Sequence, residues 1–89
     1  MAKRFQDVAI NRENMFTLGR DQQTGDAYLS IPVVNRIVDY DEYYRLSEEE
    51  FERLRSDEEA GAAFAKSCRE RREDERLILQ PGADRGTPR

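Results

Sequence analysis

The stretch from Tyr28 to Phe51, YLSIPVVNRIVDYDEYYRLSEEEF, constrains the fold more than any other part of the chain. It reads as strand, two-residue turn, strand and capped helix with almost nothing between them. With Asn35 and Arg36 as the turn, Val34 faces Ile37, Val33 faces Val38, Ile31 faces Tyr40 and Leu29 faces Glu42, because partners in a hairpin keep a constant index sum. One face then collects Leu29, Ile31, Val33, Val38 and Tyr40, with Tyr44 and Leu46 further along. This is a core face. The other carries Tyr28, Ser30, Pro32, Asp39, Asp41 and Tyr43, a mixture suited to water or to a partner. Glu42 falls on the inward face, which calls for a β-bulge near Asp41 or a snorkelling carboxylate. Pro32 has no N–H for a ladder bond, so it is expected at an edge or a bulge.

The helix that follows is marked by its cap. Ser47 with Glu50 forms a capping box, and Leu46 with Phe51 is spaced for a hydrophobic staple, so a helix is predicted from Glu48 to about Arg55. Ser56 with Glu59 repeats the pattern and predicts a second helix from Asp57 to about Arg72 or Glu73. Its stripe of Ala60, Phe64 and Cys68, flanked by Ala63 and Ala65, suits packing on a sheet. Leu77, Ile78 and Leu79 have the length of a short buried strand, ended by Pro81-Gly82.

Towards the N-terminus the pattern is weaker. Residues 1–13 read as a partly ordered lead-in with Phe5, Val8 and Ile10 as anchors; Met15 to Arg20 predicts a first strand with Phe16 and Leu18 inward; and Asp21 to Asp26 is a loop in which Gly25 takes a positive φ. The expected fold is α+β, ordered β-β-β-α-α-β: a four-stranded, mostly antiparallel sheet with both helices on one face. A chain of 89 residues fits one domain, with residues 81–89 as a polar tail.

Charge narrows the function. From Asp39 to Glu59 there are ten acidic residues against three arginines, a local balance of −7 in a chain of net charge −4. Such a segment repels nucleic acid and anionic membrane and attracts a basic protein surface. Without histidine there is no ordinary general base or imidazole metal ligand, so an enzyme is not expected, nor is a cofactor. Cys68, alone and on the apolar stripe, reads as a core residue, and the single cysteine fits the cytoplasm. Asp39, Asp41 and Glu42 are the carboxylates a divalent cation would use, but no further ligand stands at a recognisable spacing. Arg69 and Glu73, and Arg71 and Glu75, neutralise each other at helical spacing, which speaks against a basic footprint for nucleic acid. The candidate partner-binding residues are Tyr28, Asp39, Asp41, Glu42 and Tyr43, with Glu48 and Glu49 at the acidic helix start. Tyrosines supply contact area and carboxylates steer basic partners. The plainer alternative is that the tyrosines cover the sheet and the carboxylates keep it in solution.

The run YLSIPVVNRIVDYDEYYRLSEEEFERL, followed by FAKSCRERREDERLILQPGADRGTP, resembles small bacterial immunity proteins of polymorphic and contact-dependent toxin systems, over about Ala27 to Pro88. Where such proteins often carry Asn-Gly at the turn, this chain has Asn35-Arg36. The resemblance implies a non-enzymatic inhibitor that binds one cognate toxin, commonly a nuclease or another basic domain, and occludes its active site. Two other readings stay open: a phage-type acidic inhibitor mimicking nucleic acid, and a carboxylate metal-binding module or enzyme. An exposed sheet edge also leaves room for a homodimer.

Overall fold

The computed structural model describes residues 4–34, 39–80 and 85–88. Four strands, β1 (Phe5–Asn11), β2 (Phe16–Asp21), β3 (Ala27–Val34) and β4 (Tyr40–Leu46), form an antiparallel meander in chain order. Two helices follow, α1 (Glu48–Ser56) and α2 (Glu58–Arg69), and a two-residue strand β5 (Thr87–Pro88) pairs with β3. This is the expected small α+β fold. The core lies between one sheet face and the helices: Phe16, Leu18, Leu29, Ile31, Val33, Tyr44 and Leu46 meet Phe51, Leu54, Ala65 and Cys68.

The capping box is present as read. Ser47 Oγ accepts from the Glu50 amide and the Glu50 carboxylate accepts from the Ser47 amide, at 3.1 and 2.8 Å. The second helix is capped one residue later than expected. Asp57, not Ser56, accepts from the Ala60 amide, while the Ser56 hydroxyl turns back to the Glu52 and Arg53 carbonyls and closes α1. α2 also ends early, at Arg69. Arg71 takes the left-handed conformation (φ 61°), with its amide on the Cys68 carbonyl and the Arg72 amide on the Ser67 carbonyl, which is a Schellman termination. Helical spacing therefore does not extend to Glu73 and Glu75, and the ion pairs predicted on that spacing lose their basis. The buried stripe of α2 is Gly61, Ala65 and Cys68, with Ala60 and Phe64 half-buried beside it.

The β3–β4 register differs by two from the expected one. Leu29 pairs with Tyr44, Ile31 with Glu42 and Val33 with Tyr40. The expected turn residues Asn35 and Arg36, and Ile37 and Val38, lie outside the described residues. A shift of two preserves which face each side chain takes, so the core face stands although the pairing changes. No bulge is needed at Asp41, since the ladder is regular from Ala27 to Val33. Pro32 lies on β3 between Ser30, the last partner of β2, and Val33, the first of β5, a gap in which a residue without an N–H is tolerated.

Three further expectations change. The N-terminal lead-in is a full strand, β1, whose alternation is broken by a bulge between Asp7 and Ala9. Leu77–Leu79 makes only one bridge, Leu77 to Tyr44, after a 3-10 turn at Asp74–Arg76. The final strand is supplied instead by Thr87–Pro88, within what reads as a polar tail.

Candidate functional site

Both helices pack on one face of the sheet, and the other is curled. In a flat sheet β1 and β4 would stand about 14 Å apart across three strand spacings. Here the Phe5 ring of β1 stacks on the Tyr43 ring of β4, centroids 3.8 Å apart, and both meet Tyr28 edge-on at 5.5 and 5.0 Å. Gly19 permits the curl: a Cβ there would collide with the Gln6 carbonyl and the Tyr28 hydroxyl. The Tyr28 side chain lies across that glycine and donates to Asp7 Oδ1 at 2.7 Å.

The curl makes the outer face concave. Two hollows of about 310 and 260 Å³ share Thr17, Ser30 and Asp41. Phe5, Asp7 and Tyr43 line the first, and Ile10, Met15 and Pro32 the second. Met15 stands in the left-handed region (φ 54°), held there by the Arg69 guanidinium, which donates to the Asn14 and Met15 carbonyls at 3.0 and 2.6 Å. Ile10 and Met15 remain 59% and 39% exposed, so this part of the wall is apolar and open, with Asn11 and Arg12 lining it beside them.

Asp41 is the electrostatic centre of the groove. Among the described residues its carboxylate has neither a hydrogen-bond nor an ion-pair partner, and part of it stays in solvent. Its pKa is raised, first because the walls remove water from the charge and second because Asp7 lies nearby. The Tyr43 hydroxyl is raised by burial and by the same two carboxylates.

The expected partner-binding residues divide between places. Asp41 and Tyr43 belong to the groove. Tyr28 does not face a partner: it is wholly buried under Phe5 and above Gly19. Glu42 is also removed from the surface, at 3% exposure on the helix face, where it is neither bulged nor snorkelling. It is paired instead. Arg85 donates to both its oxygens at 2.8 and 3.0 Å and to both oxygens of Asp74 at 2.7 and 2.9 Å, while the Tyr44 and Tyr40 hydroxyls donate to Glu42 at 2.8 and 3.1 Å. Burial alone would raise the pKa of Glu42, but Arg85 and the tyrosines together hold it below the usual carboxylate range. Asp39 is exposed just before β4; Glu48 and Glu49 are exposed beyond its far end, about 20 Å along the strand, and Glu48 carries Arg20. The acidic residues of the sequence therefore do not form one patch.

Asp7, Phe5, Ile10 and Met15 were not among the expected site residues. The bulge at Val8 puts Asp7 and Ile10, three residues apart, on the same face and erases the period of two that would have marked β1. Cys68 is fully buried and its thiol pKa is pushed up by desolvation, as suits a core residue. Among the described residues no three histidine, cysteine or carboxylate side chains converge to hold a metal ion, and no helix is long and apolar enough to cross a membrane. No family model, curated protein or solved structure matches the chain.

Proposed function

We propose that this chain is a non-enzymatic inhibitory binding protein, an immunity protein that neutralises a cognate bacterial toxin in the cytoplasm by lying over its active site. The observation that carries the reading is the groove on the sheet face that the helices leave uncovered, with the Asp41 carboxylate at its centre and Asp7 and Tyr43 beside it. A toxin that handles a polyanionic substrate presents cations at its active site, and a carboxylate groove with an aromatic and apolar rim complements such a surface in charge and in contact area. The outer sheet face, with the exposed Asp39 at its margin, takes this role in place of a continuous patch running on to Glu48 and Glu49. The lack of histidine agrees with occlusion as the mode of action.

Co-expression with the product of the gene immediately upstream tests the reading. A complex that co-purifies and restores growth is expected. A harmless neighbour that does not co-purify would overturn it.

A further inference from the structure

Among the described residues, four arginines of this chain sit in the same kind of setting, each on a carboxylate and near an aromatic ring; one is Arg55, which pairs with Glu52 and lies 5.9 Å from the Phe51 centroid. Arg4 pairs with Asp21 and lies 5.0 Å from the Phe5 centroid; Arg20 pairs with Glu48 and lies 5.1 Å from Phe51; Arg76 pairs with Glu50 and lies 5.1 Å from Phe64. Asp41 beside Tyr43 and the stacked Phe5 is a further carboxylate–ring set; Arg12 lines the second hollow with it, but among the described residues no arginine is hydrogen-bonded to Asp41 or ion-paired with it. We propose that the groove on the outer sheet face receives an arginine side chain from the protein partner, with the guanidinium between Asp41 and Asp7 and the aliphatic stem along Ile10, Met15 and Pro32. This rests on the inhibitory reading for the identity of the partner and on the groove alone for its chemistry.

Size, charge and wall composition agree. Hollows of about 310 and 260 Å³ lie at or below the lower end of small-molecule sites, the scale of one long side chain and not of a cofactor. Two carboxylates in one hollow favour a delocalised cation with several donors, and the planar guanidinium also stacks on rings, which the compact, strongly hydrated ammonium of lysine does less well. The apolar strip of Ile10, Met15 and Pro32, with Asn11 and Arg12 at its margin, leads to a carboxylate end and matches a side chain that is itself apolar along its stem and charged at its tip. Ser30 and Thr17 supply hydroxyls on the floor between the two hollows.

The test uses the full chain and a probe of known chemistry, the blocked tripeptide Ac-Gly-Arg-Gly-NH2, followed by amide chemical shifts. Saturable shifts at Asp41, Tyr43, Ser30 and Asp7 are expected, with a dissociation constant on the order of millimolar for one isolated side chain. The citrulline tripeptide, isosteric but neutral, should bind at least tenfold more weakly, and Asp41→Asn should weaken the arginine peptide by a similar factor. Asp41→Asn keeps the shape of a partly exposed side chain, so folding is not at risk. Equal binding of the two peptides, shifts elsewhere, no shifts, or the same pattern produced by Mg²⁺ alone would each overturn the groove assignment. Growth rescue separates the two claims. If Asp7→Asn with Asp41→Asn co-purifies with the toxin and rescues as well as the parent, the arginine groove falls and the inhibitory reading stands. If the arginine peptide binds in the groove but the parent protects against no neighbouring product, the inhibitory reading falls and the groove stands.

Discussion

Asp41 and Glu42 are neighbours on β4, and alternation sends them to opposite faces of the sheet. Glu42 is the more buried, yet its pKa is lowered; Asp41 keeps contact with water, yet its pKa is raised. Burial pushes both carboxylates up, so the degree of burial does not separate them; the partners that offset it do. Glu42 has the two-pronged Arg85 and two tyrosine hydroxyls, whereas Asp41 has a second carboxylate for company and, with Arg12 only lining the adjoining hollow, no ion-pair partner among the described residues. Among the described residues the helix-face carboxylate is paired with a cation, and the outer-face carboxylate is not.

The strongest way to break this contrast is to remove the partner of Glu42. Arg85→Met should cost roughly 3 kcal/mol in denaturant unfolding, because it strands a buried carboxylate. Adding Glu42→Gln, which keeps an acceptor for the tyrosines but no charge, should recover most of that loss. A cost below about 1 kcal/mol for Arg85→Met would mean that the pair does not hold the C-terminal segment in place.

Next in size is the outer face. Gly19→Ala should cost about 2 kcal/mol, since its methyl group must displace Tyr28 or the β1 backbone. The change should also shift the aromatic resonances of Phe5 and Tyr43. A neutral substitution would show that the curl does not depend on this close approach.

The smallest effect has the opposite sign. The folded-state pKa of Asp41 is raised, so its ionised form destabilises the fold above that pKa, and the penalty disappears as the acid protonates. Asp41→Asn should stabilise by about 0.3 kcal/mol at pH 7, a small figure because solvent screens the group, and the gain should vanish as pH falls through the folded pKa. Glu42 and Glu50 run the other way. Their folded pKa values are lowered, that of Glu50 to about 2, so the stability they contribute is present above the unfolded value of about 4.5 and is lost as pH falls towards their folded values. Unfolding midpoints from pH 7 to pH 2 should record both trends. The same slope for Asp41→Asn and its parent across that range would remove the contrast.

Much of the fold is legible because local rules act alone at several points. The Ser47 and Glu50 box lies within four residues and requires nothing from the rest of the chain. The inward set of Leu29, Ile31, Val33, Tyr44 and Leu46 follows from alternation, and it stands despite the register shift of two because faces repeat with that period. The site was less legible. Tyr28 reads as outward, which it is, but outward is not exposed once β1 folds over it. Asp7 stood in a segment whose alternation is interrupted by a bulge, so no pattern announced it.

By itself, then, the sequence determined the α+β class, the capped start of α1, the buried Cys68 and the inward course of Glu42, since each depends on neighbours a few residues away or on the parity of a strand. Only the tertiary structure decided what Glu42 and Asp41 mean. Arg85 lies 43 positions from Glu42, and Phe5 lies 38 from Tyr43, distances across which spacing carries no signal. The curl of the sheet over Gly19 and the return of the C-terminal segment to β3 bring these residues together, completing one carboxylate and leaving the other open.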